Sequence, residues 1–143
     1  MEKEPILIVD DERNVRLTLS QALKPLGLSI LTAVNGEEAL QKLREGPVGL
    51  MFLDLKMPGI GGMEVLRRVK EDWPQIRVVI ITAFGTVEAA VEAMKLGAAD
   101  FIEKPFGDVE ILDVANRILA REDLDEEIVD DYVSLIELAR RHI

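Results

Sequence analysis

The residues best suited to chemistry in this sequence are polar side chains that stop runs of apolar residues. The run Leu50–Leu53 ends at Asp54 and is followed by a stretch rich in proline and glycine, 57–62. Three further apolar runs stop in the same way, at Asp10-Asp11, at Thr82 and at Glu103-Lys104. If these runs are neighbouring parallel strands, their polar ends meet at one edge of a sheet, where ligands bind in such folds.

The acids among these residues indicate a cation site beside a nucleophile. Asp10, Asp11 and Asp54 on one edge would repel one another unless a cation neutralised them. A hard divalent cation such as Mg²⁺ suits oxygen ligands and prefers to share a phosphate. Thr82 adds a hydroxyl donor and Lys104 an ammonium, which together favour a tetrahedral dianion at this edge. We predict that Asp54 is the nucleophile and takes a phosphoryl group as an acyl phosphate.

Composition excludes several classes of function. The 143 residues are 48% hydrophobic and 31% charged, which is typical of one globular domain with a buried core. There are no cysteines and one histidine, His142, so thiol nucleophiles are excluded and histidine-rich metal centres are disfavoured. The formal net charge of −10 argues against direct nucleic-acid binding, because phosphate backbones attract the opposite charge.

The sequence also argues against a membrane role. No apolar run approaches the roughly 20 residues that span a bilayer. The first five residues, 1–5, lack the basic start and apolar stretch of a signal peptide. We therefore expect a cytoplasmic protein without a membrane partner.

Strand and helix patterns alternate five times along the chain. The strands are predicted at Pro5–Val9, Leu28–Val34, the run that ends at Asp54, Arg77–Ile81 and Ala98–Ile102. Between and after them lie apolar residues at helical spacing, the fifth such stretch starting at Asp108. Because crossovers between parallel strands are helical and right-handed, this order predicts an α/β doubly wound parallel sheet with helices on both faces.

The composition changes after Ala120. We predict a domain over 1–121, followed over 122–143 by an acidic spacer and an amphipathic C-terminal helix. That helix either packs on its own domain or forms a surface for dimerisation or for a partner.

The ordered set of motifs resembles the receiver domain of two-component response regulators, from Ile6 to about Ala120. The matching features are Asp10-Asp11 after the first strand, Asp54 followed by Met57-Pro58 and Gly62, Thr82-Ala83, and Phe101 three residues before Lys104-Pro105. Any one of these motifs is weakly specific, whereas the set in this order, each at a strand end, is strongly specific.

The resemblance implies a flavodoxin-like fold with strand order 2-1-3-4-5. It further implies Mg²⁺ bound through Asp10, Asp11, Asp54 and the backbone carbonyl of Lys56. Asp54 would be phosphorylated from a phosphohistidine on a sensor histidine kinase or a phosphotransfer protein.

The resemblance also implies the parts of a switch. Thr82 and Phe101 would form the switch pair, in which the hydroxyl moves toward the phosphoryl group and the ring fills the space. The Lys104-Pro105 bond would be cis. The kinase would be recognised on the helix over 15–26. The switched surface would comprise the helix over 87–94, the strand with Phe101 and the helix from Asp108.

Within that family, residues 81–98 resemble receivers of the NtrC type, which precede ATPases that activate transcription. Two interpretations stay open: a fragment whose output domain is missing, or a stand-alone receiver whose output is a downstream effector protein. We favour the second interpretation.

Two residues next to the predicted site lie where water would approach an acyl phosphate. Lys56 is two residues after Asp54, and Phe84 is two residues after Thr82. We predict that charge at Lys56 and bulk at Phe84 slow hydrolysis.

Two other functions compete with a self-catalysing phosphoacceptor that turns over no external metabolite. An aspartyl-phosphate phosphatase would need a second carboxylate two residues after Asp54, where the chain has Lys56. A receiver-like scaffold that is never phosphorylated would not need the acids, Thr82 and Lys104 together.

Overall fold

The computed structural model describes residues 3–120. The predicted acidic spacer and terminal helix at 122–143 lie outside the described residues. The order of elements is β1 (Ile6–Val9), α1 (Arg13–Leu23), β2 (Ile30–Ala33), α2 (Gly36–Glu45), β3 (Leu50–Asp54), α3 (Gly62–Asp72), β4 (Arg77–Thr82), α4 (Val87–Lys95), β5 (Asp100–Glu103) and α5 (108–120).

All the strand pairings are parallel, and the strand order is β2-β1-β3-β4-β5. The predicted doubly wound sheet with order 2-1-3-4-5 is therefore confirmed. The central strands β1 and β3 are buried throughout, which explains why they are continuous apolar runs and do not alternate with polar residues.

Alternate residues of the strands pack into two separate hydrophobic cores, one on each face of the sheet. Leu7 and Val9 of β1 point into the core that α2, α3 and α4 cover. Ile6 and Ile8 point into the opposite core, which α1 and α5 cover. The two-residue period of a strand thus sends successive side chains of one strand into opposite cores.

Strand β5 differs from the prediction at both ends, since it covers Asp100–Glu103. The amide of Ala98 instead donates to the carbonyl of Ala93 at 3.0 Å, which closes the end of α4. Gly97 makes this reversal at φ 105°, a conformation that favours glycine. Strand β2 is also shorter than predicted and covers Ile30–Ala33.

Candidate functional site

The residues that we predicted to be reactive lie at the carboxyl ends of neighbouring strands. Asp10 follows β1, Asp54 ends β3 and Thr82 ends β4. All three are buried, with exposed fractions of 0%, 3% and 0%. Lys104 follows β5 and remains 12% exposed in its side chain. The parallel register of β1, β3 and β4 is what brings these residues to one edge.

Lys104 joins the acids of this edge. Its Nζ donates to Asp10 Oδ2 at 2.8 Å and to Asp54 Oδ2 at 3.3 Å, and it lies 4.0 Å from Glu12 Oε1. The backbone amide of Lys104 donates to the carbonyl of Thr82, and the Lys104-Pro105 bond is cis, as the resemblance implies. The structure therefore places the predicted ammonium between two buried carboxylates.

Burial and the neighbouring charges shift the pKa values of Asp54 and Lys104. Burial raises the pKa of Asp54 and the charge of Asp10 raises it further, while Lys104 and the amide of Lys56 oppose the shift. Burial by itself would lower the pKa of Lys104, but its hydrogen bond with Asp10 and the charges of Asp10 and Asp54 outweigh burial and raise it. The surroundings thus favour the charged form of Lys104, which is the counterion of Asp54, and disfavour the charged form of Asp54 itself.

The acidic cluster fits a hard cation. Carboxylate oxygens of Asp10, Asp11 and Glu12 lie within 4.8 Å of one another, with Asp10 buried and the other two exposed. An all-oxygen donor set of this kind suits Mg²⁺. Glu12 was not among the predicted ligands, although its place after two acids was a signal. In the described residues Asp54 is outside this cluster and is linked to it through Lys104.

The segment that follows Asp54 contacts the carboxylate of Asp54 through its backbone. The amide of Lys56 donates to Asp54 Oδ1 at 3.3 Å. The Nζ of the Lys56 side chain lies 5.2 Å from the centre of the Phe84 ring. Phe84 is 60% exposed. The two residues predicted to slow hydrolysis therefore contact each other, which their spacing in the sequence does not reveal.

The predicted switch pair occupies neighbouring strands. Thr82 Oγ1 accepts a hydrogen bond from the amide of Phe84 at 3.1 Å. Phe101 lies on β5 opposite Ile80 of β4 and packs, half-buried, against the core that α2, α3 and α4 cover. The hydroxyl is thus engaged with the backbone, and the ring is neither fully inside nor fully exposed.

Together these features define a class of protein: a flavodoxin-like domain with a buried acid, a lysine and a threonine at the carboxyl edge of its sheet. Comparison with known families gives the family itself. Residues 6–116 match the model of the response regulator receiver domain. The chain belongs to the response regulator receiver family, whose members are the phosphoacceptor domains of two-component signalling.

Individual relatives agree with this assignment. The chain is 38% identical to sporulation initiation phosphotransferase F of Bacillus subtilis over 119 residues, which are 83% of this chain and 96% of that protein. It is 33% identical to the DNA-binding transcriptional regulator NtrC of Escherichia coli over 120 residues, which are 84% of this chain and 26% of that protein.

The fold matches solved receivers as well. The crystal structure of the receiver domain of NtrX from Brucella abortus has a TM-score of 0.76 and 37% identity, over 80% of this chain and 98% of that one. The resemblance to NtrC-type receivers is confirmed. The chain spans only 26% to 29% of the length of the NtrX-like, NtrC and DctD regulators that it matches.

Proposed function

We propose that Asp54 is the phosphoacceptor and receives its phosphoryl group from a phosphohistidine of a sensor histidine kinase or a phosphotransfer protein. A carboxylate oxygen of Asp54 attacks phosphorus, the phosphorus–nitrogen bond breaks, and the imidazole leaves and takes a proton. The product is an acyl phosphate on Asp54. The observation that carries the proposal is the burial of Asp54 beside Lys104 Nζ and Asp10 at the strand edge.

The neighbouring side chains have separate roles in this proposal. Lys104 is already bonded to Asp54 and pairs with a phosphoryl oxygen as the dianion arrives. Thr82 exchanges its contact with the Phe84 amide for a phosphoryl oxygen, to which its hydroxyl donates. Phe101 then moves into the space beside the displaced threonine. Thr82 and Phe101 thus act as the switch pair.

Mg²⁺ is the cofactor that we propose for this site. The ligands are Asp10, Asp11, Asp54 and the backbone carbonyl of Lys56. When bound, the ion neutralises the acids and offsets the charge of the transferring group. The proposed roles of Asp10 and Asp11 as ligands are supported by the cluster of three acids in the structure. Its third member is the exposed residue Glu12.

We also propose that the chain turns over no external substrate. The position two residues after Asp54, where an aspartyl-phosphate phosphatase carries its general acid, holds Lys56. The carboxylic acid that such a phosphatase uses is therefore missing at this position, and the Nζ of Lys56 lies 5.2 Å from the centre of the exposed Phe84 ring. Lys56 and Phe84 instead slow the attack of water on the acyl phosphate.

The kinase or phosphotransfer protein docks beside the site, on α1 and the neighbouring loops. A cavity of about 430 Å³ opens there next to Lys104, and its lining residues are Glu12, Asn14, Val15, Thr18, Ala83, Lys104, Pro105 and Phe106. A surface that borders the phosphoacceptor is where a phosphohistidine must approach.

The output surface is the exposed face of α4 with β5 and α5. Three apolar side chains of α4 are exposed, Val87, Val91 and Met94, with Val87 at 81%. Exposed apolar clusters of this kind mark surfaces for other proteins. We propose that a second copy of the chain, a downstream effector protein or an output domain of a longer protein binds here, and that Thr82 and Phe101 switch it.

We propose a receiver domain over 1–121 with a separate segment over 122–143, and a cytoplasmic location. Within residues 3–120, no helix has the length and apolarity needed to cross a membrane. We propose no direct nucleic-acid binding by this chain, because its formal net charge is −10.

Intact mass after incubation with acetyl phosphate and Mg²⁺ tests the phosphoacceptor proposal. The wild type should gain one phosphoryl group, and Asp54→Asn, which keeps the shape but loses the nucleophile, should gain none. If Mg²⁺ binds and neither protein gains mass, the phosphoacceptor proposal fails and the scaffold function takes its place.

A further inference from the structure

The loop between β3 and α3 is held at its base and at its tip. At the base, the amide of Gly62 donates to the carbonyl of Leu55 at 3.1 Å. At the tip, the amide of Ile60 donates to Oε1 of Glu37 at 2.9 Å, although Glu37 is 23 residues earlier in the chain. Lys56, whose amide contacts Asp54, lies between these two points.

Glu37 is an exposed residue in the first turn of α2, so the helix sets the position of its backbone. Asn35 caps that helix, and its side chain accepts from the amide of Glu38 at 2.8 Å. A carboxylate in the first turn of a helix faces the positive end of the helix dipole, which favours its ionised form. The hydrogen bond from Ile60 is the main reason that the pKa of Glu37 is lowered.

The loop is shaped to receive this carboxylate. Gly59 turns the chain at φ 83°, and a Cβ there would lie 2.8 Å from Glu37 Oε1. Gly36 permits equally close packing on the other side, since a Cβ there would lie 2.6 Å from Cγ2 of Ile60. Two glycines therefore allow α2 and the loop to approach closely enough for the hydrogen bond.

We infer that Glu37 is a positioning residue, which fixes the loop over 55–61 and so holds the amide of Lys56 at Asp54 and sets the position of the Lys56 carbonyl. The part of this inference that concerns Mg²⁺ rests on the proposed function, in which the Lys56 carbonyl is a ligand. Glu37 itself touches neither the phosphoryl group nor the ion. Its effect passes along the backbone from Ile60 to Lys56.

The test compares four variants of the full chain with the wild type. Glu37→Ala removes the acceptor, whereas Glu37→Gln removes the charge but keeps an amide oxygen that accepts from Ile60. Gly59→Ala disrupts the same contact from the loop side. Glu38→Ala is the matched control, because it removes an identical charge from the next position of α2 and leaves the carboxylate of Glu37 in place.

The first readout is amide hydrogen exchange in EDTA. Exchange at Ile60 and Lys56 should quicken several-fold in Glu37→Ala and in Gly59→Ala, while Glu38→Ala and Glu37→Gln stay near the wild type. Exchange at Phe52, in the centre of β3, should be unchanged in all of them. Equal effects of Glu37→Ala and Glu38→Ala at Ile60 and Lys56, or an effect of Glu37→Gln as large as that of Glu37→Ala, would overturn the inference.

The second readout is Mg²⁺ affinity by titration calorimetry. Loss of one hydrogen bond at the tip should weaken Mg²⁺ binding about two- to fivefold in Glu37→Ala, and less in Glu38→Ala. Equal weakening in these two variants would show that only charge matters and would also overturn it. If the wild type binds no Mg²⁺, the proposed metal site is wrong, and the exchange rates measured in EDTA still decide the role of Glu37.

Discussion

The folded domain holds Asp54 in surroundings that disfavour its charged form. Its carboxylate is buried beside Asp10, and both effects raise its pKa above the ordinary value of 3.8. Because the folded pKa exceeds the unfolded one, the folded state binds this proton more tightly. The contribution of Asp54 to the free energy of unfolding therefore falls as the pH rises from 3.8 through the folded pKa.

Asp54→Asn should consequently be more stable than the wild type at pH 7 in EDTA. Lys104 keeps its 2.8 Å hydrogen bond to Asp10 in that variant, so its charge is not left alone. The gain should shrink as the pH falls through the folded pKa of Asp54, which urea unfolding at several pH values measures. Asp113→Asn, at an exposed position of α5, is the control for loss of one negative charge. A gain that is equal in the two variants, or independent of pH, would contradict this explanation of the Asp54 charge.

A single substitution at Phe84 tests whether bulk at this position slows hydrolysis of the acyl phosphate. The backbone amide of Phe84 contacts Thr82, the backbone amide of Lys56 contacts Asp54, and the ammonium of Lys56 lies 5.2 Å from the centre of the exposed Phe84 ring. Phe84→Ala should therefore lose phosphoryl groups faster, roughly two- to fivefold, because water reaches the acyl phosphate more easily.

The decay of phosphorylated protein after removal of acetyl phosphate measures this rate. Leu31→Ala, which trims an exposed apolar side chain on the edge strand β2, is the matched control. An unchanged decay rate in Phe84→Ala would show that bulk at this position does not slow hydrolysis.

The sequence pointed to the candidate site residues at strand ends and to Lys56 and Phe84, but it indicated neither Glu12 and Glu37 nor the contact between Lys56 and Phe84. The polar ends of apolar runs identify Asp10, Asp54 and Thr82, because a buried strand carries a reactive group only where it leaves the core. Loop conformation decides two contacts, that of Glu37 with Ile60 and that of Lys56 with Phe84. The spacing of residues in the sequence does not indicate loop conformation. Glu12 was missed although it adjoins the two acids that were identified.

At the level of elements, the loop from β3 to α3 depends on a glycine at the first position of α3. A Cβ on Gly62 would lie 2.5 Å from Cα of Leu55 and closer still to the carbonyl oxygen of Asp54. Both neighbours are backbone atoms, so the clash can be relieved only by moving the strand end or the helix. The preceding residue, Gly61, has open space where its own Cβ would be.

Gly62→Ala should therefore destabilise the domain by about 1–3 kcal/mol, as overpacking against fixed backbone does. Gly61→Ala is the matched control, since a Cβ at Gly61 meets no atom within 4 Å and its φ of −71° suits alanine. It should change the free energy of unfolding by less than about 1 kcal/mol. Chemical denaturation of both variants measures the difference, and equal stability of the two would show that the loop adjusts freely around Gly62.

The boundaries of elements were predicted less well than their order. Strand β5 was placed too early because Ala98 and Ala99 continue an apolar pattern into Phe101. The turn at Gly97 uses the amide of Ala98 to close α4, so the strand starts only at Asp100. Hydrogen bonding at the end of a helix decided this boundary, and a hydrophobicity pattern does not contain that information.

At the scale of the whole molecule, the alternation of strands and helices was enough to predict the architecture. Continuous apolar runs require strands that are covered on both faces, and right-handed crossovers limit how such strands connect. The strand order came from the family resemblance and is confirmed. Neither the pattern nor the resemblance indicates how Lys104 divides its contacts between Asp10 and Asp54, because that depends on side-chain packing.

Removal of residues 122–143 tests the proposed division of the chain. Residues within 3–120 form a buried core on each face of the sheet. A chain of residues 1–121 should therefore unfold cooperatively with an unchanged midpoint in urea and should be phosphorylated at the same rate as the full chain.

Size measurement by light scattering of the same two proteins separates the alternatives for the terminal segment. Loss of self-association with unchanged stability would identify the segment as an interface. A large loss of stability would contradict the proposed boundary and show that the segment packs on the domain.

The most direct test of the central claim is to locate the phosphoryl group in the chain. After phosphorylation by acetyl phosphate with Mg²⁺, borohydride reduces an aspartyl phosphate to homoserine, and peptide mass spectrometry then identifies the altered position. We expect homoserine at position 54 alone, and none in Asp54→Asn or in wild-type protein treated without acetyl phosphate. Homoserine at position 10 or 11, or a phosphoryl group on a hydroxyl side chain that survives borohydride, would contradict the assignment of Asp54 as the phosphoacceptor.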